Sequence, residues 1–266
     1  MAAQLGAAAS WYGPFIVCLF LALAGIEAVR GRDGSAPRLA ANLGCWLLGG
    51  WAASFLPGAW TAGLGIGFAP FAWVHELAGA GTVALAGLVA LDLLSYAAHR
   101  LHHSVHVLWR FHAVHHADPV VDASTGLRHH PGEAVVASFL GGAVFGLLGL
   151  PTWALAFAAT ASLAWELVQH ADLSWPAPME RVASLLLVTP GLHRIHHSEE
   201  ARHHGANFGT VLSLWDRLFG TYLPASQGAL TYGIGPAGAG AAGPLGALTL
   251  PVRLKRDVPA AERVDA

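Results

Sequence analysis

From residue 39 to residue 99 the chain carries no lysine or arginine, and none occurs before Arg30 or between Arg128 and Arg181. The stretches so marked off are apolar. A bilayer core of roughly 30 Å needs about 20 apolar residues in a helix, and five runs approach that length: 11–29, 39–56, 78–98, 134–150 and 151–168. With 55% hydrophobic and only 11% charged residues, the chain is more apolar than a soluble domain requires. Lipid is the expected solvent. Gly149, Leu150 and Pro151 form the only break between the fourth and fifth runs, which predicts a tight helical hairpin there. Residues 59–74, rich in glycine and aromatics, are left unassigned as re-entrant or interfacial.

The basic residues also set an orientation, because short loops rich in lysine and arginine stay in the cytoplasm. With the N-terminus outside, five spans put the Arg30 to Arg38 loop, the Arg100 to Arg128 segment and everything after His170 inside. The first run has no basic residue before it, whereas Arg30, Arg32 and Arg38 follow it, the pattern of a retained helix rather than a cleaved leader. Residues 225–246, dominated by Gly, Ala and Pro, read as a loosely ordered linker. Beyond it, Arg253, Lys255 and Arg256 suit either anionic headgroups or solvent.

Other classes are excluded by charge and thiols. A net charge of -2 offers no basic excess for phosphate backbones. Cys18 and Cys45 both lie in apolar runs, so there is neither a disulfide framework nor a thiolate set for zinc.

Histidine is the unusual residue: there are 16, and all but His75 fall between His99 and His204. His99 and His103 lie four apart at the end of the third run, on one face of a continuing helix. Two further boxes have the form His-x-x-His-His: His112, His115 and His116, then His193, His196 and His197. Positions i, i+3 and i+4 share a helical face, so each box can offer three imidazoles to one or two metals. So many imidazoles exceed what one tetrahedral ion can use, which favours two metals; imidazole suits iron, copper, nickel and zinc alike. Asp92, seven residues before His99, is a buried carboxylate expected to orient a ligand histidine or to bond a neighbouring helix. The fold expected is an all-α integral membrane protein, with about four to five transmembrane helices and a cytosolic helical cap carrying a histidine-rich dimetal site.

The run Asp92 to Arg100, the phrase Leu108 to His116, Arg128-His129-His130-Pro131, Gln169 to Leu173, the His193 box, Asn207-Phe208-Gly209 and Leu214 to Thr221 together resemble the fatty acid hydroxylase and sterol desaturase superfamily of membrane di-iron oxygenases. The resemblance covers roughly the central half of the chain. With the apolar runs and the Gly/Ala/Pro-rich end, it divides the chain into N-terminal transmembrane helices over 1–77, a fatty acid hydroxylase-like catalytic domain over 78–224 and a cytosolic tail over 225–266. It implies metal ligation and catalysis by His99, His103, His112, His115, His116, His193, His196 and His197, with His170 as a further ligand and His130 as a ligand or the neighbour of one. Asn207 and Asp216 are implied to fix imidazole tautomers. His102, His106, His129 and His203 are read as binding a carboxylate or water, and His204 is given no role.

The same resemblance implies two non-haem irons, O₂ as co-substrate, and two electrons from a separate ferredoxin- or cytochrome-type donor with its reductase, since no flavin or nicotinamide fingerprint appears. A lipid-like substrate, whether fatty acyl, sterol-like or carotenoid-like, would enter from the bilayer, to be hydroxylated or desaturated. Two other readings compete. A zinc hydrolase rests on His75-Glu76, but Gly79 stands where the second histidine of His-Glu-x-x-His belongs. A metal carrier would spread ionisable groups through its spans, and Glu27 is too isolated to build such a path.

Overall fold

The computed structural model describes residues 11–31, 34–55, 79–225 and 229–255. The unassigned stretch 59–74, and with it His75, Arg32 and Arg256, lies outside them. The described residues are helical, with isolated bridges and no strand among them. Ten α-helices follow in order: α1 Tyr12–Val29, α2 Ala36–Ser54, α3 Ala80–Ser104, α4 His106–His116, α5 Pro131–Leu148, α6 Thr152–His170, α7 Ala177–Ala183, α8 Pro190–His196, α9 Leu214–Leu218 and α10 Pro244–Arg253.

Each of the five apolar runs is a helix: α1, α2, α3, α5 and α6. Among the described residues, α1, α3 and α5 are long and apolar enough to cross a membrane. Helices α2 and α6 are 19 residues each but less apolar, because α2 buries Arg38 and Asn42 and α6 buries Ser162, Gln169 and His170. The hairpin between α5 and α6 forms as expected. Gly149 closes α5 in the left-handed region at φ 64°, where a residue without Cβ avoids the steric cost, and Pro151 precedes α6.

The five long helices bring the same set of ends to one side. Glu27, near the end of α1, accepts from the backbone N–H of Asp172 just beyond α6 at 2.7 Å and from Ala123 at 3.0 Å. Far from isolated, its carboxylate ties two helix ends to the loop between α4 and α5. At the start of α2, Arg38 pairs with Asp118 and Asp122, and Asn42 donates to Asp118 and Ser124. Asp122 also caps the short 3₁₀ helix Ala123–Leu127 in a reciprocal box with Thr125. A polar layer thus holds loop 117–128 against the apolar helices, Arg38 paired with two carboxylates and Glu27 hydrogen-bonded to backbone N–H groups, so that no buried charge there lacks a partner.

The segment beyond 225 is not a loose linker over its described residues. Ala241, Ala247 and Leu250 are buried against Ala41, Cys45, Trp109 and Ala113 of α2 and α4. Arg128 extends the same contact, donating to Val114, Asn42 and Ala241. Small side chains let α10 lie close on both helices, and composition alone reads such a segment as featureless.

Candidate metal centre

Two separate groups of histidines gather at the lower ends of α3 and α6 and on α4 and α8. His99, His103, His112, His116 and His196 form one, and His115, His170, His193 and His197 the other, the offered atoms of each lying within 4.8 Å of one another. Helix α3 supplies His99 and His103, and α6 ends on His170. Helix α8 is started by Pro190 and capped by the Thr189 hydroxyl, which accepts from Leu192 and also bonds Glu180.

Each box divides its rings between the groups, in opposite senses. On α4 the i, i+4 pair His112 and His116 joins the first group and His115 the second; around α8, His193 and His197 join the second group and His196 the first. One helical face thereby feeds two sites.

The nitrogens facing each other carry the chemistry. A neutral imidazole has one N–H and one lone pair. His99 commits Nδ1 to the carbonyl of Phe208 at 2.8 Å, and His196 commits Nδ1 to the carbonyl of Ala206 at 2.8 Å. A carbonyl only accepts, so both rings donate there, and both Nε2 atoms, 3.0 Å apart, present lone pairs to each other. His170 has its own lone pair fixed in the same way: Nδ1 donates to the Glu166 carbonyl at 2.7 Å, and Nε2 faces those of His193, His197 and His115 at 2.9, 3.1 and 3.2 Å, three rings whose Nδ1 atoms have no partner in the protein. Converging lone pairs require a cation among them. Protons are a poor choice, since burial above all, then the neighbouring histidines, holds His115, His116, His193, His196 and His197 well below the ordinary imidazole range. The ring nitrogens fit a pair of metal ions, and Nε2 of His112, buried with no partner in the protein, fits with them.

Asn207 organises the carbonyls that take up His99 and His196. It adopts the left-handed conformation at φ 56°, between Ala206 and Phe208, and its side chain donates to Leu192 and Leu223 while accepting from Leu223. Asp216 accepts from the N–H groups of Phe208 and Gly209 at 2.8 Å and from the Thr221 hydroxyl at 2.7 Å. Burial pushes its carboxyl up to about 6 against the pull of those donors. Asp92 accepts from Val211 N–H, Leu212 N–H and the Trp215 indole at 2.8, 3.0 and 2.8 Å. None of these three side chains bonds an imidazole. They pin the loop 206–216, and the loop's backbone fixes the rings.

His130 stands apart from both groups. Its Nδ1 caps α5 by accepting from Gly132 and its Nε2 donates to Leu248 at 3.3 Å, so both nitrogens are engaged. His203 bonds Ser198, and His102 lies 3.8 Å from Glu133. His204 is buried, its ring 5.4 Å from that of His116. His129 sits between two carboxylates, 3.2 Å from Glu133 and 3.2 Å from Glu166. Burial disfavours its charge, yet those carboxylates hold it well above the ordinary histidine range. Glu133 and Glu166 were not foreseen from the sequence. The signal was there in Glu133, a carboxylate in the first turn after the His129-His130-Pro131 phrase.

Apolar helices ending on two histidine groups that could each hold a metal ion define a membrane-type helical protein with a candidate metal centre. The family model for fatty acid hydroxylase matches residues 84–221, slightly more than half of the chain. The chain belongs to that family. Similar curated proteins include alkylglycerol monooxygenase of Danio rerio, 31% identical over 52% of this chain and 30% of the relative. Ornithine lipid hydroxylase OlsE of Rhizobium tropici is 33% identical over 51% of this chain and 40% of its own. Very-long-chain aldehyde decarbonylase GL1-9 of Oryza sativa subsp. japonica is 28% identical over 53% and 54%. The chain thus spans between 30% and 40% of the length of the first two. No solved structure matches.

Proposed function

We infer that this chain is a membrane-bound di-iron oxygenase that uses O₂ and two external electrons to oxidise a lipid-like substrate, hydroxylation being the outcome favoured by its relatives. The observation that carries this reading is the pair of facing lone pairs on His99 and His196, their nitrogens 3.0 Å apart, with the fixed lone pair of His170 facing further ring nitrogens in the second group. The first iron would be held by His99, His103, His112, His116 and His196, and the second by His115, His170, His193 and His197. Family membership supports iron over other metals. The relatives named for alkylglycerol monooxygenation and ornithine lipid hydroxylation support a lipid substrate.

Bound there, two irons supply activation of O₂, so that one oxygen atom enters a C–H bond and the other leaves as water with two electrons and two protons. The chain's residues supply the rest. The carbonyls of Ala206, Phe208 and Glu166 keep three rings in the tautomer that offers Nε2. Burial excludes water and keeps the rings unprotonated. Apolar flanks of α1, α3 and α5 give a lipid-side approach, the shared placement of the helix ends supports a multi-pass arrangement, and the arginines near those ends support a centre on the cytoplasmic side. Electrons come from a separate carrier protein.

Iron is quantified per chain in detergent-purified wild type beside His115→Ala and His196→Ala. About two irons, reduced in both variants, together with lipid oxidation under O₂ with a ferredoxin or cytochrome reductase system, is the expected outcome. One zinc or no metal after iron-replete expression, unchanged by the substitutions, would refute it.

A further inference from the structure

One carboxylate touches the first histidine group and reaches the second through a neighbouring ring. Glu133, in the first turn of α5, brings Oε1 to 3.0 Å from Nδ1 of His112 and 3.2 Å from Nδ1 of His129. His112 belongs to the first group. His129 reaches on through Nε2 to Glu166 at 3.2 Å, and its ring stacks on that of His115, in the second group, with centroids 4.3 Å apart and planes 15° apart. The relay is Glu133 to His112 on one side, and Glu133 to His129, Glu166 and the face of His115 on the other.

His112 differs from its neighbours in what takes its outer nitrogen. His99, His196 and His170 each donate to a backbone carbonyl, whereas the outer nitrogen of His112 meets a buried carboxylate. A carboxylate acceptor fixes the tautomer and raises the basicity of the opposite nitrogen more than a carbonyl does. With its proton held on Nδ1, His112 presents a bare lone pair at Nε2, the atom that is buried and unpartnered in the protein.

We propose that Glu133 is a positioning residue for the metal centre: it locks His112 with Nε2 turned to the first metal and, through His129 and Glu166, links that lock to His115 of the second. The proposal rests on the two-metal reading above. It also gives α5 a task beyond spanning: Pro131 and the His130 cap start the helix where its first-turn carboxylate meets the α4 box.

The test is Co(II) titration of the metal-free, full-length protein in detergent, read by chelator competition and by the ligand-field absorption of each bound equivalent. Wild type should take two equivalents; if it does not, the two-metal reading fails before any variant is made. Glu133→Ala should weaken one equivalent by about 10 to 100-fold, the cost of losing such an outer partner, and shift that equivalent's absorption. Glu133→Gln, whose amide oxygen still accepts from His112, should recover part of the loss. Adding Glu133→Ala to His112→Ala should then cost that same equivalent nothing further, because the carboxylate acts on it through the His112 ring. Wild-type titration in Glu133→Ala, or an equal extra loss in the His112→Ala background, would overturn the proposal. If Glu133→Ala loses its helical ellipticity, Glu133→Gln alone and with His112→Ala carries the same comparison.

Discussion

Nε2 of His170, the last residue of α6, lies 2.9 Å from Nε2 of His193 on α8, across 23 residues of chain. His170 also faces His115 and His197, so one side chain closes the second group. His170→Ala should therefore release one metal equivalent while the other stays bound, with an affinity loss beyond the roughly 10 to 100-fold expected for an outer partner. Metal analysis of the purified variant after dialysis checks this, and retention of both equivalents would remove His170 from the set.

Acid should empty the centre. Burial holds His115, His116, His193, His196 and His197 below the ordinary range, so the metal-free protein folds with neutral rings. The unfolded chain takes up protons below about pH 6.5, so the stability these rings contribute is present above that pH and declines as pH falls through it. Bound metal competes with protons for the same nitrogens. Thermal unfolding between pH 8 and pH 5 should show Tm falling on the acid side, with metal release tracking it; metal content unchanged at pH 5 would contradict ligation by these rings.

Asp92 holds the loop rather than a ring. Asp92→Ala orphans one buried donor, from Val211, and two partly buried ones, from Leu212 and Trp215, at about 1–3 kcal/mol for a buried group left unsatisfied. We expect Tm to drop by several degrees in detergent. At saturating metal, the folded variant should still bind two equivalents. A variant that kept its Tm but lost metal would point instead to direct contact with the centre.

Gly126 is a packing constraint on the second group. A Cβ there would lie 3.1 Å from the Glu166 carbonyl and 3.3 Å from Nδ1 of His170, the two atoms of the bond that sets the His170 tautomer. Gly126→Ala should weaken the second metal equivalent by about tenfold or more, in line with disturbing an outer partner. Gly50→Ala, where a Cβ meets nothing within 4 Å, serves as the control. Equal metal affinities in the two variants would show that the loop yields to the added methyl.

The sequence by itself determined the five helices, through uninterrupted apolar runs, and the hairpin at Gly149, through glycine and proline. It also marked the histidines that gather, since i, i+3 and i+4 spacing puts three rings on one helical face whatever the fold around them. Only the tertiary structure decided how those rings are shared. His115 parts from His112 and His116, and His196 from His193 and His197, because α3 brings His99 and His103 to one group and α6 brings His170 to the other. The same holds for the outer partners. The resemblance implies imidazole partners in Asn207 and Asp216, and position alone leaves Asp92 between a histidine and a neighbouring helix, yet Asp92 and Asp216 bind loop 206–216 and Asn207 anchors it to Leu192 and Leu223, while Glu133, 21 residues from His112, supplies the carboxylate. Hydrogen-bond partners of this kind depend on contacts across the chain, which local spacing does not encode.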